Sequence, residues 1–494
     1  MHEADTRTNG AGRPGPSRHV VVIGGGIAGL AAAHRLLADG LRVTLLEAGG
    51  RLGGKLYAGE LAGAPVDLGA ESVLARRPEA LELARAVGLG DDLQPPATAT
   101  ARLWTRGALR DMPRGHVMGV PGDAAALAAS GVLSAEGLAR IAADTELPPT
   151  EVGEDVAVGE YVAARMGREV VDRLVEPLLG GVYAGDAYRI SLRAAVPALF
   201  DAARTHPTLT GAVRALQQGA ARAAAERTTV TGAAASGAFF AGISGGIGRL
   251  PLAVAEACRA AGARILTGTP ARGIARTPQG WRITTDGEAL DADGVVLAVP
   301  AAPAARLLDA LAPTAAADLR EVEYASMALV TMAFRRSDLP PAVADGTASG
   351  FLVPPVDGRT IKASTFSSNK WAWAGADPDL FLLRTSVGRH GDEGDLARED
   401  SELVDVSLAD LGEAVGLAAR PVASTVTRWD GGLPQYPVGH LARADRIRAA
   451  VAALPGLAVC GALYDGVGIP ACIAGAGKAA EAVTASMATP GTEH

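Results

Sequence analysis

Two hydrophobic periods alternate along this chain. Val20-Val21-Val22-Ile23 is an unbroken apolar run, the pattern of a strand buried on both faces. Leu30, Ala33 and Leu37 then recur at helical spacing, and Gly40 stands where a C-terminal cap belongs. Arg42–Leu46 predicts a second strand. Similar units return far downstream. A helix-like run follows Gly245-Gly246-Ile247-Gly248 as far as Gly262, and strands are expected at Arg264–Leu266, Trp281–Thr284 and Gly294–Pro300. A last strand at Leu457–Gly461 leads through a glycine-rich turn to a helix over Gly477–Met487. Two other textures separate these pieces. Residues 91–235 are rich in Ala, Leu and Arg with helical periodicity, as in Val156–Met166, whereas residues 304–439 read as β-rich, as in Ala328–Phe334 and Phe381–Val387.

At 494 residues the chain suits two or three domains. Aromatic residues make up only 4%, so the interior must be mostly Ala, Val and Leu. The net charge of −8 argues against a nucleic-acid partner, and any anionic ligand must be met by local positive charge. Cys258, Cys460 and Cys472 form no C-x-x-C pair, and the histidines show no metal-ligand spacing, so no metal site and no disulfide framework are expected. A reducing, cytoplasmic compartment fits. Residues 1–18 are polar and rich in Gly and Pro, and a disordered arm is expected there. No stretch is long and apolar enough to predict a transmembrane segment. Gly115–Leu133 is apolar but broken by Pro121 and Gly122; it reads as helical core, with contact to a membrane surface left open.

The first strand and helix are joined by Gly24-Gly25-Gly26-Ile27-Ala28-Gly29, with glycines at the G-x-G-x-x-G positions. The first allows a tight turn, the second lets backbone approach a pyrophosphate, and the third lets the helix lie close on the strand. The helix N-terminus offers unpaired N–H groups to phosphates. Glu47 ends the second strand, 23 residues after Gly24, where a ribose-binding carboxylate is expected. Together these features predict a dinucleotide site.

The residues that follow, Glu47-Ala48-Gly49-Gly50-Arg51-Leu52-Gly53-Gly54-Lys55, resemble the E-A-x-x-R-x-G-G-[RK] extension of the FAD-linked amine oxidase superfamily. Four further segments resemble the porphyrinogen oxidases: Leu109–Pro121, Val175–Asp186, Thr365–Trp371, and Leu433–Tyr436 leading into Tyr464–Cys472. The type most similar is the coproporphyrinogen III oxidase of Gram-positive bacteria. Two departures weaken claims about single contacts: Gly475-Ala476-Gly477 follows Ile473-Ala474 where the family has S-G-R, and position 271 is Ala where valine is common.

The resemblance implies an α/β fold: a discontinuous Rossmann-like FAD-binding domain (19–90, 240–303 and 440–487), a helical insertion (112–235), and a sheet-based substrate domain (91–111 and 304–439). It implies an oxygen-dependent FAD oxidase of haem biosynthesis that converts coproporphyrinogen III to coproporphyrin III by successive hydride transfers to the flavin. Protoporphyrinogen IX oxidase and flavin amine oxidase are the alternatives, and a carotenoid-desaturase-like enzyme is more distant. Such chemistry needs no nucleophilic side chain, so no catalytic residue is named. Cofactor contacts are expected from Gly24, Gly25, Gly26, Ile27, Ala28, Gly29, Glu47, Ala48, Arg51, Gly53, Gly54, Lys55, Gly69, Ala70, Glu71, Ser72, Ala271, Trp429, Gly461, Val467, Gly468 and Ile469. Substrate contacts are expected from Arg76 and Arg77, which would clamp propionates, and from Gly180, Gly181 and Tyr464. The arginines also read as a solvated loop pair, and the two glycines as a plain turn. Tyr464, Trp429 and Tyr436 line a flavin cavity or pack the core; Lys370 faces the flavin, a carboxylate or solvent. The porphyrinogen and molecular oxygen are the expected partners, with a transient haem-pathway partner and the oligomeric state left open.

Overall fold

A computed structural model describes residues 18–231 and 239–488. Apart from Arg18, the arm expected at 1–18 lies outside the described residues, as does the stretch 232–238 at the end of the expected helical insertion.

The three distant apolar runs meet in one five-stranded parallel sheet. Its order is Arg264–Leu266, Arg42–Leu46, His19–Ile23, Gly294–Leu297, Leu457–Val459. The central strand explains its unbroken hydrophobicity. Val20 and Val22 face one core, Val21 and Ile23 the other, and all four are buried. On the first face lie the helices Ile27–Ala38, Arg249–Ala260 and Ile469–Ala488. On the second lie Ala301–Leu308, Pro313–Arg320 and His440–Ala452, with a three-stranded antiparallel layer built from Ala271–Thr277, Gly280–Thr285 and Leu290–Ala292. The C-terminal helix begins at Ile469, eight residues before the expected Gly477. Gly475 and Gly477 are carried inside it, where tertiary burial overrides their low helix propensity.

A second, seven-stranded sheet is assembled from Ala423–Pro434, Tyr324–Arg335, Leu380–Val387, Ile361–Thr365, Gly350–Leu352, Ala101–Thr105 and Ala108–Asp111, in that order. All its pairings are antiparallel except that of Gly350–Leu352 with Ala101–Thr105. One face, carrying Val330, Met332, Phe334 and Leu383, packs on the helix Asp400–Val415. The other face carries Met327, Thr331, Arg384 and Trp429, and Trp429 and Arg384 reach the 67–69 segment of the parallel-sheet unit.

Residues 124–231 form a helical lobe. A fully buried ion pair, Arg165 to Asp144 at 2.7 Å, ties its helices together. The Gly115–Leu133 stretch is helical only over Ala124–Ser130; His116–Val117 and Val120–Pro121 pair as short antiparallel strands, and Val120, Leu127, Val132 and Leu133 are buried in the core of this lobe. Among the described residues no helix is long and apolar enough to cross a membrane.

Candidate functional site

The site is built at the carboxyl edge of the parallel sheet, the edge where ligands of doubly wound folds bind. Gly24 has φ +114°, and a Cβ there would overlap the Ala298 carbonyl oxygen. A Cβ on Gly29 would overlap the carbonyl oxygen of Gly24. These two glycines are therefore required by packing. Gly26 is different. It is the N-cap of Ile27–Ala38 with an ordinary φ of −72°, and no atom lies nearer than 3.9 Å to a Cβ built on it. Its backbone faces open space.

The second glycine pair is laced to the first. Gly53 N donates to Gly25 O at 2.8 Å, and Gly26 and Gly53 form an isolated bridge. Glu47 sits between them: one carboxylate oxygen accepts from Gly25 N and the other from Gly49 N, both at 2.7 Å. Thr269 N donates to Glu47 O at 2.9 Å, which sets Ala271 and the antiparallel layer beside the Glu47–Ala48 turn. Lys55 O accepts from Ala70 N at 3.0 Å, and a Cβ on Gly69 would overlap that same oxygen. Burial lowers the Lys55 amine below the usual lysine range.

Trp429 closes this cluster from the seven-stranded sheet. Its indole N–H donates to Leu68 O at 3.1 Å, and the Arg51 guanidinium lies 4.0 Å from the Tyr57 ring centre and 5.5 Å from that of Trp429. From the C-terminal piece, Gly461 has φ +126° with nothing within 4 Å of a Cβ position. Gly468 O accepts from Cys472 N in the first turn of Ile469–Ala488. That helix packs on Ile27–Ala38, and both follow parallel strands, so two helix N-termini open on one sheet edge. Both offer free N–H groups and positive dipole ends to an anion.

The family profile described as flavin containing amine oxidoreductase matches residues 27–484. The chain belongs to this family. It is a flavin-dependent oxidoreductase, and its cofactor is FAD. The chain is 37% identical over 477 residues to the coproporphyrinogen III oxidase of Mycobacterium leprae (strain TN), covering 96% of this chain and 99% of that one. It is 33% identical to the coproporphyrinogen III oxidase of Bacillus subtilis (strain 168), over 94% and 97% of the two chains. A crystal structure from Exiguobacterium sp. 255-15, provisionally named a protoporphyrinogen oxidase, superposes with a TM-score of 0.82 at 32% identity, over 95% and 99%.

The residues present fit FAD. The open backbone at Gly26 and Gly461 gives a cradle that side chains would fill, two helix ends supply N–H donors, and Glu47 stands at the end of the second strand for a ribose. Two of the expected contact residues have side chains engaged within the chain. Glu71 is buried, and its carboxylate is taken by Lys370 on one oxygen and by Arg384 at 3.1 Å on the other. Burial alone would raise its pKa, but the two cations more than offset this and hold the carboxyl below the usual range. Glu71 thus supports the 67–70 segment, and Arg384 completes the support by donating to Gly69 O at 2.7 Å. Tyr464 is also buried, its ring in one core cluster with Leu457, Val459 and Leu463. Tyr436 is buried too; its hydroxyl donates to Ala462 O and its ring stacks on His440.

Arg76 and Arg77 are exposed on the loop before Pro78–Ala86. Arg77 pairs with Glu79 at 2.5 Å, and Arg76 lies 5.3 Å from the Phe239 ring centre. Gly180 and Gly181 lie inside the helix Glu176–Tyr183 and form no turn. A helical glycine costs about 1 kcal/mol relative to alanine, so two in a row call for a reason beyond folding. Gly181 is exposed, and a Cβ there would meet only Leu352 at 3.8 Å. The sequence reading missed Arg384. Its signal was a single charge within the apolar and hydroxyl run Phe381–Val387.

Proposed function

We propose that this chain oxidises coproporphyrinogen III to coproporphyrin III, with oxygen as the final electron acceptor. The observation that carries the reading is near-full-length similarity to coproporphyrinogen III oxidases, 37% identity over 96% of the chain. When bound, FAD supplies the two-electron acceptor that dehydrogenation of a porphyrinogen requires.

The chain's own groups bind and position. Gly24–Gly29, Gly53–Lys55 and the 461–469 turn would hold the pyrophosphate, and Glu47 the ribose. Arg51 and Trp429 would cover the cofactor from the substrate side. The glycine face at Gly180–Gly181 and the sheet face at Met327 and Trp429 give a macrocycle two walls without bulky intrusion. Arg76 and Arg77 are exposed candidates for an outer propionate. A cytoplasmic location and a transient partner that takes the porphyrin onward belong to the same reading.

Anaerobic addition of coproporphyrinogen III to the purified flavoprotein should bleach the flavin, and air should restore it with coproporphyrin fluorescence. Absence of bleaching refutes the reading. Faster turnover of protoporphyrinogen IX in a matched assay would change the substrate and leave the reaction class.

A further inference from the structure

Lys362 is a cation buried in the described core. It is 8% exposed, and the polar atom recorded against its Nζ is the Met327 sulfur at 3.9 Å. It stands where the register of Ile361–Thr365 shifts against Leu380–Val387, and such a bulge re-aims a side chain. Met327, which its amine reaches, pairs across the sheet with Trp429, so Lys362 lies on the sheet face that meets the cofactor segment. A second cation, Arg389, is partly buried beside it and donates to Val353 O at 3.0 Å; Val353 N in turn donates to Lys362 O.

Glu176, from the helical lobe, acts on Arg389 ahead of Asp392, and one Glu176 oxygen accepts from Ala187 N at 2.6 Å. Its other oxygen lies 4.0 Å from a Cβ position on Gly180, which places the cations next to the glycine helix. Gly181 faces Leu352, whose strand partner is Ala363, the residue after Lys362. Lys362 therefore stands beside the glycine wall with the Met327 sulfur against its amine, while the partly buried Arg389 is shared with Glu176 and Asp392. A buried charge without a partner is costly, and a ligand carboxylate would offset that cost. Burial, with Arg389 adding like-charge repulsion, brings the Lys362 amine down to about 7, and a carboxylate placed beside it would favour the charged form.

We propose that Lys362 and Arg389 form an inner carboxylate pocket that takes one propionate of the tetrapyrrole. This rests on the porphyrinogen reading above and deepens it. No sequence signal beyond one charge in Ile361–Thr365 pointed to it.

The test uses the FAD-loaded enzyme with coproporphyrin III and its tetramethyl ester as probes, followed by porphyrin fluorescence. Lys362→Met keeps the side-chain length and removes the charge. It should weaken binding of the acid roughly tenfold, as expected for losing a charge-assisted contact, and leave ester binding unchanged. KM for coproporphyrinogen III should rise by a similar factor while kcat changes less, and Lys362→Arg should restore most of the affinity. Lys362→Met should melt no lower than the parent, which separates lost grip from lost folding. Unchanged affinity for the acid overturns the proposal, as does equal loss of acid and ester. If the parent enzyme binds neither porphyrin, the functional reading fails first and the pocket with it.

Discussion

Gly24, Gly26 and Gly29 occupy one motif, yet the structure gives them different reasons to be glycine, and alanine at each separates those reasons. At Gly26 the φ of −72° suits any residue, and a Cβ meets nothing within 3.9 Å. Alanine is a poorer N-cap than glycine by about 1 kcal/mol, and loss of unfolded-state freedom returns about 0.4–1 kcal/mol. The apo-protein of Gly26→Ala should therefore match the parent in stability to within about 1 kcal/mol. Its new methyl would project into the open space we assign to the pyrophosphate, so FAD retention should collapse. At Gly24 a φ of +114° adds backbone strain of about 1–2 kcal/mol to an overlap with Ala298 O, and at Gly29 the overlap is with the Gly24 carbonyl itself. Overpacking against backbone costs about 1–3 kcal/mol, so both variants should lose stability even without FAD. Thermal melts of apo-protein, with the flavin-to-protein absorbance ratio after purification, read the two effects separately. FAD at a hundred times its Kd should stabilise the parent by about 2.7 kcal/mol and Gly26→Ala by almost nothing. A Gly26→Ala protein that purifies with a full flavin complement would refute the assignment of that open space to the cofactor. An apo Gly29→Ala as stable as the parent would refute the packing argument.

Four further outcomes follow from the same geometry. Glu71→Gln leaves Lys370 and Arg384 buried without a counter-ion and should cost about 3–5 kcal/mol in denaturant unfolding; a loss under 1 kcal/mol would mean the triad is solvated. Burial lifts the Asp67 carboxyl to about 6, above its unfolded value near 3.9, so the folded state binds the proton more tightly. Its contribution therefore falls as pH rises from about 4 to about 6, by on the order of 3 kcal/mol, and Asp67→Asn should gain on the parent in melts across that window; a constant difference would discard the shift. Asp144→Asn uncouples the fully buried Arg165 and should make the helical lobe the first site of proteolysis, with a cost of about 3–5 kcal/mol. Gly181→Ala should stabilise its helix by about 0.5–1 kcal/mol yet raise KM, because the methyl enters the open side; an unchanged KM would remove Gly181 from the substrate wall.

The glycine loop, Glu47 and the parallel strands were legible because their chemistry is local: a βαβ unit carries its own period, turn and cap within about 30 residues. The α/β fold followed from those local signals joined to the family motifs. What was illegible is pairing across the chain. Glu71 reads as a loop acid beside Gly69 and Ala70, and only the meeting of two sheets reveals that Lys370 and Arg384 consume it. Tyr464 stands just before Gly466-Val467-Gly468 in sequence, yet it follows the strand Leu457–Val459 into the core. Lys362 shows the converse. A lone lysine in an apolar strand is an oddity by composition, and it becomes an argument only when a register shift, a second cation and a glycine-lined helix are placed around it. The cofactor half of this site is thus written in contiguous motifs, because a pyrophosphate is held by backbone whose geometry local sequence dictates. The proposed substrate half would rest on single charges from separate strands, because carboxylates are held by side chains that only the tertiary fold brings together.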